Sequence, residues 1–198
     1  GNVKLLVSPA KKQHFELRIR IPGWLSAPVP GDLYRYATTE KEVPVIEVNG
    51  KPVQYDVASG YAVVKRVWKK GDIVTMDLPM KVKRIVSNQA VKQNKNRIAL
   101  QYGPLVYCVE GASDEFDAGG VIVPDGTAFE ISYEPSLLGG INVLRFEAPV
   151  VTVSKDGLSV TTFRKKITAI PYFSWNNRGA SEMQVWLPSS IQKISINE

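Results

Sequence analysis

Cysteine is nearly missing from this chain of 198 residues. Cys108 stands alone, so neither an internal disulfide nor a multi-cysteine metal site can form within it. Its setting, Leu105-Val-Tyr-Cys-Val109, reads as that of a small core hydrophobe, because the neighbours lack the basic, part-exposed character that a reactive thiolate needs. Histidine is equally scarce: His14 is the only one, and strand parity puts it on a wet face at a strand start. No Gly-x-Ser-x-Gly elbow, glycine-rich phosphate loop or His/Cys/Asp cluster with ligand spacing is present. Sequence-distant acids can still meet in space, but no carboxylate pair is marked out. These gaps leave the chain without an identifiable catalytic, cofactor or metal site. No apolar run approaches the roughly 18 residues of a membrane-spanning helix, and no charged-then-apolar leader opens the chain. The entry into a strand at Val3–Val7 is that expected of a segment excised from a longer protein. No amphipathic helical stripe is present either.

What the chain does have is alternation. In His14-Phe-Glu-Leu-Arg-Ile-Arg-Ile-Pro-Gly-Trp24, Phe15, Leu17, Ile19 and Ile21 fall on one face and His14, Glu16, Arg18 and Arg20 on the other. That period of two marks a half-buried strand. Pro22 cannot donate to a ladder and Gly23 permits a sharp bend, so the strand stops at a corner anchored by Trp24. Phe15, Leu17, Ile19, Trp24 and Trp68 are expected to share a core. The formal net charge of +6 is spread over Lys69-Lys70, Lys81/Lys83/Arg84, Lys92–Arg97 and Arg164-Lys165-Lys166. Each group lies beside a turn or on the polar side of a strand, and no recognition helix, zinc-finger spacing or stacking motif goes with them. Solvated charge, and not nucleic-acid binding, is the reading.

The same strand grammar recurs to the C-terminus. Val45–Val48 and Lys51–Tyr55 form a hairpin over Asn49-Gly50, the dipeptide that supplies positive φ at both centres of a type I′ turn. Tyr61–Arg66, Ile73–Leu78 and Val82–Ser87 follow. A second set runs from Arg97–Gln101 and Leu105–Glu110 through Phe129–Tyr133, Asn142–Glu147, Val150–Val153, Leu158–Phe163, Ile167–Ile170 and Met183–Leu187 to Ile191–Ile196. Strands at short intervals with Gly, Pro and Asn turns predict an all-β chain of two antiparallel β-sandwich, jelly-roll-like domains in tandem. The polar stretch Gln89–Asn96 is the boundary candidate, giving domains 1–92 and 93–198. Leu25–Glu42 is long for a connection and is expected to be functional or to lie along a domain edge. The acids Asp114, Glu115 and Asp117 sit on a Gly111–Gly120 loop without calcium-loop spacing and read as solvated.

Four Trp and eight Tyr raise sugar binding on an aromatic surface. Trp24, Trp68 and Trp186 occupy strand or corner contexts suited to core packing. Trp175 lies in the turn-rich Pro171-Tyr-Phe-Ser-Trp-Asn-Asn-Arg-Gly179. Tyr172, Trp175, Asn176 and Arg178 are the candidate docking or sugar-facing residues. An anchored loop that docks on another domain is favoured over a wet, ligand-facing one.

Leu17-Arg-Ile-Arg-Ile-Pro-Gly-Trp24, Val48-Asn-Gly50, Gly60-Tyr61 with Arg66, Trp68 and Gly71-Asp72, and Leu78-Pro-Met80 form one half of a known pattern. Arg97-Ile-Ala-Leu-Gln-Tyr-Gly-Pro-Leu-Val-Tyr-Cys-Val-Glu110, Ile170-Pro-Tyr-Phe-Ser-Trp-Asn-Asn-Arg-Gly179 and Met183-Gln-Val-Trp-Leu187 form the other. In order and spacing they resemble the C-terminal region of glycoside hydrolase family 127, the β-L-arabinofuranosidase-type enzymes. The resemblance implies an (α/α)6-barrel catalytic domain followed by two β-sandwiches, with a zinc-held cysteine nucleophile in the barrel. No residue here matches that catalytic motif, and Cys108 is not to be carried over as the nucleophile. On this reading the chain is the non-catalytic tail of a bacterial retaining glycosidase that acts on arabinose-containing plant glycan. It binds no cofactor itself, the zinc belonging to the missing barrel. Its partner is its own barrel, with homodimerisation open. The compartment also stays open, a periplasmic or secreted parent being the natural expectation. Two alternatives remain: an autonomous carbohydrate-binding module, and a protein-interaction or surface adhesion domain.

Overall fold

The computed structural model describes residues 1–38, 40–111, 116–154, 156–177, 179 and 181–190. In chain order its strands are β1 (Asn2–Val7), β2 (Gln13–Arg20), β3 (Tyr34–Tyr36), β4 (Val45–Val48), β5 (Lys51–Pro52), β6 (Asp56–Ala58), β7 (Tyr61–Trp68) and β8 (Asp72–Asp77). They continue with β9 (Val82–Ser87), β10 (Arg97–Tyr102), β11 (Leu105–Glu110), β12 (Glu130–Glu134), β13 (Ile141–Val153), β14 (Val160–Pro171), β15 (Met183–Gln184) and β16 (Leu187–Pro188). Every strand pair is antiparallel. A single helical turn, α1 (Gly23–Ser26), and three 3₁₀ turns complete the described elements. Among the described residues no helix is long and apolar enough to cross a membrane. The expected all-β, antiparallel class is what the structure shows.

The chain divides into two compact units, Gly1–Val29 with Thr39–Lys81, and Pro30–Thr38 with Val82–Glu198. The first has two sheets, ordered β1-β8-β4-β5 and β2-β7-β6. Both feed one core, in which Ile19, Ile46, Val48, Ala62, Val64, Trp68, Val74 and Met76 are buried and Phe15, Leu17, Ile21 and Trp24 pack against them. The alternation read in the sequence is therefore met, since Phe15, Leu17 and Ile19 turn inward while His14, Glu16, Arg18 and Arg20 are exposed. Trp68 is the pivot. Its ring lies 5.9 Å from that of Phe15, and its indole N–H donates to the Phe15 carbonyl at 3.1 Å, so the buried polar tip of the side chain is satisfied. Asn49 and Gly50 take φ of 53° and 75°, as a type I′ turn demands. Asn49 does more than turn: its Nδ2 donates to Asp72 Oδ1 at 2.9 Å and its Oδ1 accepts from the Ile73 amide at 2.9 Å. The Asn49 amide and the Lys69 backbone N–H together hold the Asp72 carboxyl below the usual aspartate range.

The second unit is one branched nine-stranded sheet along β12-β13-β14-β11-β10-β9-β3. Period-two alternation serves both faces. Tyr107, Val109, Leu144, Phe146, Ile167 and Ala169 enter one apolar cluster, while their neighbours Cys108, Val143 and Ile170 enter another on the opposite side. β15 and β16 fill a fork. Val109 pairs with Ala169 of β14 on one edge and with Gln184 of β15 on the other. Ile98 pairs with Val86 of β9 on one edge and with Leu187 of β16 on the other. Residues 183–188 thus take up the space where β10 and β11 diverge.

Three sequence expectations change. The boundary does not fall at Gln89–Asn96: β9 is laddered to β10 from Val82↔Tyr102 to Val86↔Ile98, so that polar stretch is a hairpin connection inside the second unit, and the division falls at Lys81/Val82. The Leu25–Glu42 segment, read as one long connection, holds elements of its own. Leu25 is fully buried in the first core, and residues 34–36 pair with β9 as an edge strand of the second unit. Finally, β13 and β14 are continuous where breaks were expected at Ala148-Pro149 and at Arg164-Lys165-Lys166. Pro149 pairs with Arg164, but its carbonyl accepts from the Ile122 amide at 2.9 Å. Its missing N–H therefore faces that same side and costs the β13–β14 ladder nothing. The expected strand Ile191–Ile196 lies outside the described residues.

Trp68→Ala should cost about 3–5 kcal/mol in urea melts, the range for deleting a large buried aromatic; a midpoint close to that of the parent sequence would place Trp68 outside the core. Gly120 is a second test. A Cβ there would overlap the Val151 carbonyl, whereas at Gly23 the nearest atom is the Ala27 Cβ at 3.9 Å. Gly120→Ala should destabilise by about 1–3 kcal/mol, the usual cost of overpacking, and Gly23→Ala by nothing measurable.

Candidate functional site

The candidate residues follow the end of β14. Pro171 closes the ladder opposite Tyr107, and residues 172–174 form one 3₁₀ turn against β11. Ser174 Oγ donates to the Pro171 carbonyl at 2.6 Å and Asn177 Nδ2 to the Ser174 carbonyl at 3.0 Å. The chain reverses at Asn176, whose φ of 65° lies in the left-handed region that asparagine tolerates. The Asn176 amide reaches Oε1 of Glu110 at 3.4 Å. Glu110 is itself buried at the end of β11, so this short polar loop is tied to the sheet at both ends.

Within the loop the aromatics separate into two roles. Trp175 packs against the cluster of Cys108, Ile141, Val143 and Ile170, and its indole nitrogen is buried without a hydrogen-bond partner among the described residues. Tyr172 stacks nearly parallel on it, with centroids 6.4 Å apart at 9°, and is about half exposed. Phe173, which the sequence did not single out, is 67% exposed. Leu105 and Val106, just before Tyr107 on β11, are also exposed. Asn176 is exposed. Arg178 lies outside the described residues. Tyr172, Trp175 and Asn176 are thus brought onto one anchored loop. Its largest ring, that of Trp175, is turned partly into the core.

No metal donor set accompanies it. Among the described residues no three of His, Cys, Asp and Glu lie close enough to share an ion. Cys108 is buried among aliphatic side chains. The described residues thus offer no ligand set for a zinc, which the resemblance assigns to the barrel. One pair of acids does meet. Asp117, which also caps a 3₁₀ turn by accepting from the Gly119 amide at 2.6 Å, acts on Glu182 through charge repulsion and a hydrogen bond and raises its pKa above the ordinary 4.5. Residues 65 positions apart carry no sequence signal for such a pair, and the neighbouring Asp114 and Glu115 lie outside the described residues.

Two family models tile the chain: the "Beta-L-arabinofuranosidase, GH127 middle domain" over residues 1–80 and the "Glycoside hydrolase family 127 C-terminal domain" over residues 82–188. The chain belongs to glycoside hydrolase family 127. The join between the two matches falls where the structure divides, at Lys81. Among curated proteins, the non-reducing end β-L-arabinofuranosidase of Bifidobacterium longum subsp. longum is 28% identical over 94% of this chain and 28% of its own length. A solved GH127 β-arabinofuranosidase, BT3674, superimposes with a TM-score of 0.87 at 34% identity, over 98% of this chain and 31% of that one. The GH127 β-L-arabinofuranosidase of Geobacillus stearothermophilus T6 gives 0.80 at 33% identity, over 96% and 29%. The chain therefore spans less than a third of the length of these relatives.

The Asp117–Glu182 pair sets a pH test. With its folded pKa raised, Glu182 keeps a proton that the unfolded chain has released, so stability falls as pH rises from about 4.5 through the folded value. Glu182→Gln should flatten that fall in urea melts run between about pH 4.5 and pH 7. Identical slopes for the two proteins would show that the carboxylates do not interact.

Proposed function

We propose that this chain is the non-catalytic C-terminal part of a glycoside hydrolase of β-L-arabinofuranosidase type. It braces the catalytic domain of its parent and shapes the rim of the active site there, with an arabinose-containing plant glycan as the parent's substrate. The observation that carries the reading is the tiling of the chain by the family's middle and C-terminal domains, with more than two thirds of each relative lying outside it. The anchored, apolar-tipped loop at Tyr172–Asn177 supports it, since buttressing contacts between domains of one chain are apolar at their centre and typically cover ~600–1,500 Å². The exposed Phe173 and the half-exposed Tyr172 are suited to that role. The near-parallel rings of Tyr172 and Trp175 favour one second reading, a sugar-stacking platform.

Purified by itself, the chain should leave aryl α- and β-L-arabinofuranosides intact. The full-length parent should hydrolyse its substrate, and a parent truncated at the residue before Gly1 should lose solubility or turnover. Activity of the isolated chain that survives repurification and vanishes on a point substitution would overturn the reading, as would a truncated parent of undiminished stability and kcat. Binding of arabino-oligosaccharides to the isolated chain, abolished by Tyr172→Ala, would transfer the role to the sugar-stacking platform.

A further inference from the structure

We infer that the far end of the β13–β14 hairpin is a docking arm that seats on the catalytic domain of the parent enzyme. The inference rests on the bracing role proposed above and names a contact for it away from the Tyr172 loop. Near the core this hairpin is held from both sides: β12 pairs with β13 over residues 141–145, β11 pairs with β14 over 169–171, and Val121 bridges to Val150. Past Val150, among the described residues, the two strands pair only with each other, out to Val153↔Val160. Such a two-stranded ribbon is marginal in water unless something covers it.

Parity makes one side of the ribbon apolar. Val151 is still buried at 7%, but on its side Val153 and, directly opposite, Val160 open out, and Leu158, just before β14, is 86% exposed. The ribbon is also bare of the usual protection. Exposed β edges are kept from pairing by charge, by proline or by bulges. Here the sequence between Glu147 and Arg164 carries only two charges, the consecutive Lys155 and Asp156, and its one proline, Pro149, lies at the base. A charge-poor, apolar-faced, unblocked arm is what a surface covered in the complete molecule looks like.

The occupant follows from what is outside the chain and from the size of the patch. More than two thirds of each relative lies beyond the matched part. Burial of three aliphatic side chains is too little to hold two separate molecules together, and two copies each carrying a formal charge of +6 repel. The same burial suffices between domains already joined in one polypeptide, where the effective concentration is high.

The test is thiol labelling of Leu158→Cys, with Val160→Cys as a second site, read by peptide mass spectrometry so that Cys108 and any other thiols of the parent are scored apart. Both positions are exposed, so the isolated variants should keep the urea midpoint of the unmodified chain. In the isolated chain the new thiols should react with maleimide at the rate of an open cysteine, at every protein concentration. In the full-length parent they should react roughly tenfold more slowly or less, as expected when labelling requires a local opening. Equal rates in the two proteins would remove the arm contact while leaving the bracing role to the truncation experiment. Slowing of the isolated chain at high concentration would assign the arm to a second copy, and slowing by added arabino-oligosaccharide would assign it to sugar; either result overturns the proposal.

Discussion

The second unit depends on the hydrogen-bonding obligations of β11. This strand of six residues meets β10 through Leu105–Tyr107, β14 through Tyr107–Val109 and β15 through Val109-Glu110. Buried backbone groups must find partners, and as β10 and β11 part company their facing edges would lose them. Residues 183–188 enter that gap and restore the ladders. Because the strand that leaves β14 must return to this fork, the Tyr172–Asn177 loop is confined beside β11. Tyr107 reinforces the junction from within: burial pushes its phenol up to about 12, so it stays neutral and donates to the Asn142 carbonyl at 3.0 Å.

Elements governed by local rules were legible from the sequence. The inward set of β2, the Asn49-Gly50 turn and the burial of Trp68 each follow from period-two parity or turn chemistry, and each is found in place. What escaped was long-range. Gln89–Asn96 is polar because it is an exposed hairpin loop, and polarity alone cannot tell such a loop from a linker. Nothing local announces that Tyr34–Tyr36 leaves one unit to form the edge of the other; Tyr34 stacks on Trp186 at 5.4 Å and Tyr36 reaches Gln101, contacts far apart in sequence. Pro149 suggested a strand end because the side to which its nitrogen points depends on pairing that only the structure supplies. At the candidate loop, Trp175 was visible as an aromatic among polar residues, whereas the prominence of Phe173 depends on which ring β14 turns inward.

The polar side chains of the first unit tie turns to strands, as Asn49 does with Asp72 and Ile73, and those of the second fasten loops to sheet ends, as Glu110 does with Asn176. Exposed apolar residues include Phe173 and Tyr172 on the loop and Val153, Leu158 and Val160 on the hairpin, beside others such as Leu6, Val43, Val57 and Tyr133 in both units.

The most direct test of this account is hydrogen–deuterium exchange of the Tyr172–Asn177 backbone, measured on the isolated chain and again on the full-length parent. If the chain braces a catalytic domain through this loop, those amides should exchange markedly more slowly in the parent, while β7 and β13 near their cores exchange alike in both. Equal protection of the loop in the two proteins would contradict the account and show that this surface faces solvent in the complete enzyme.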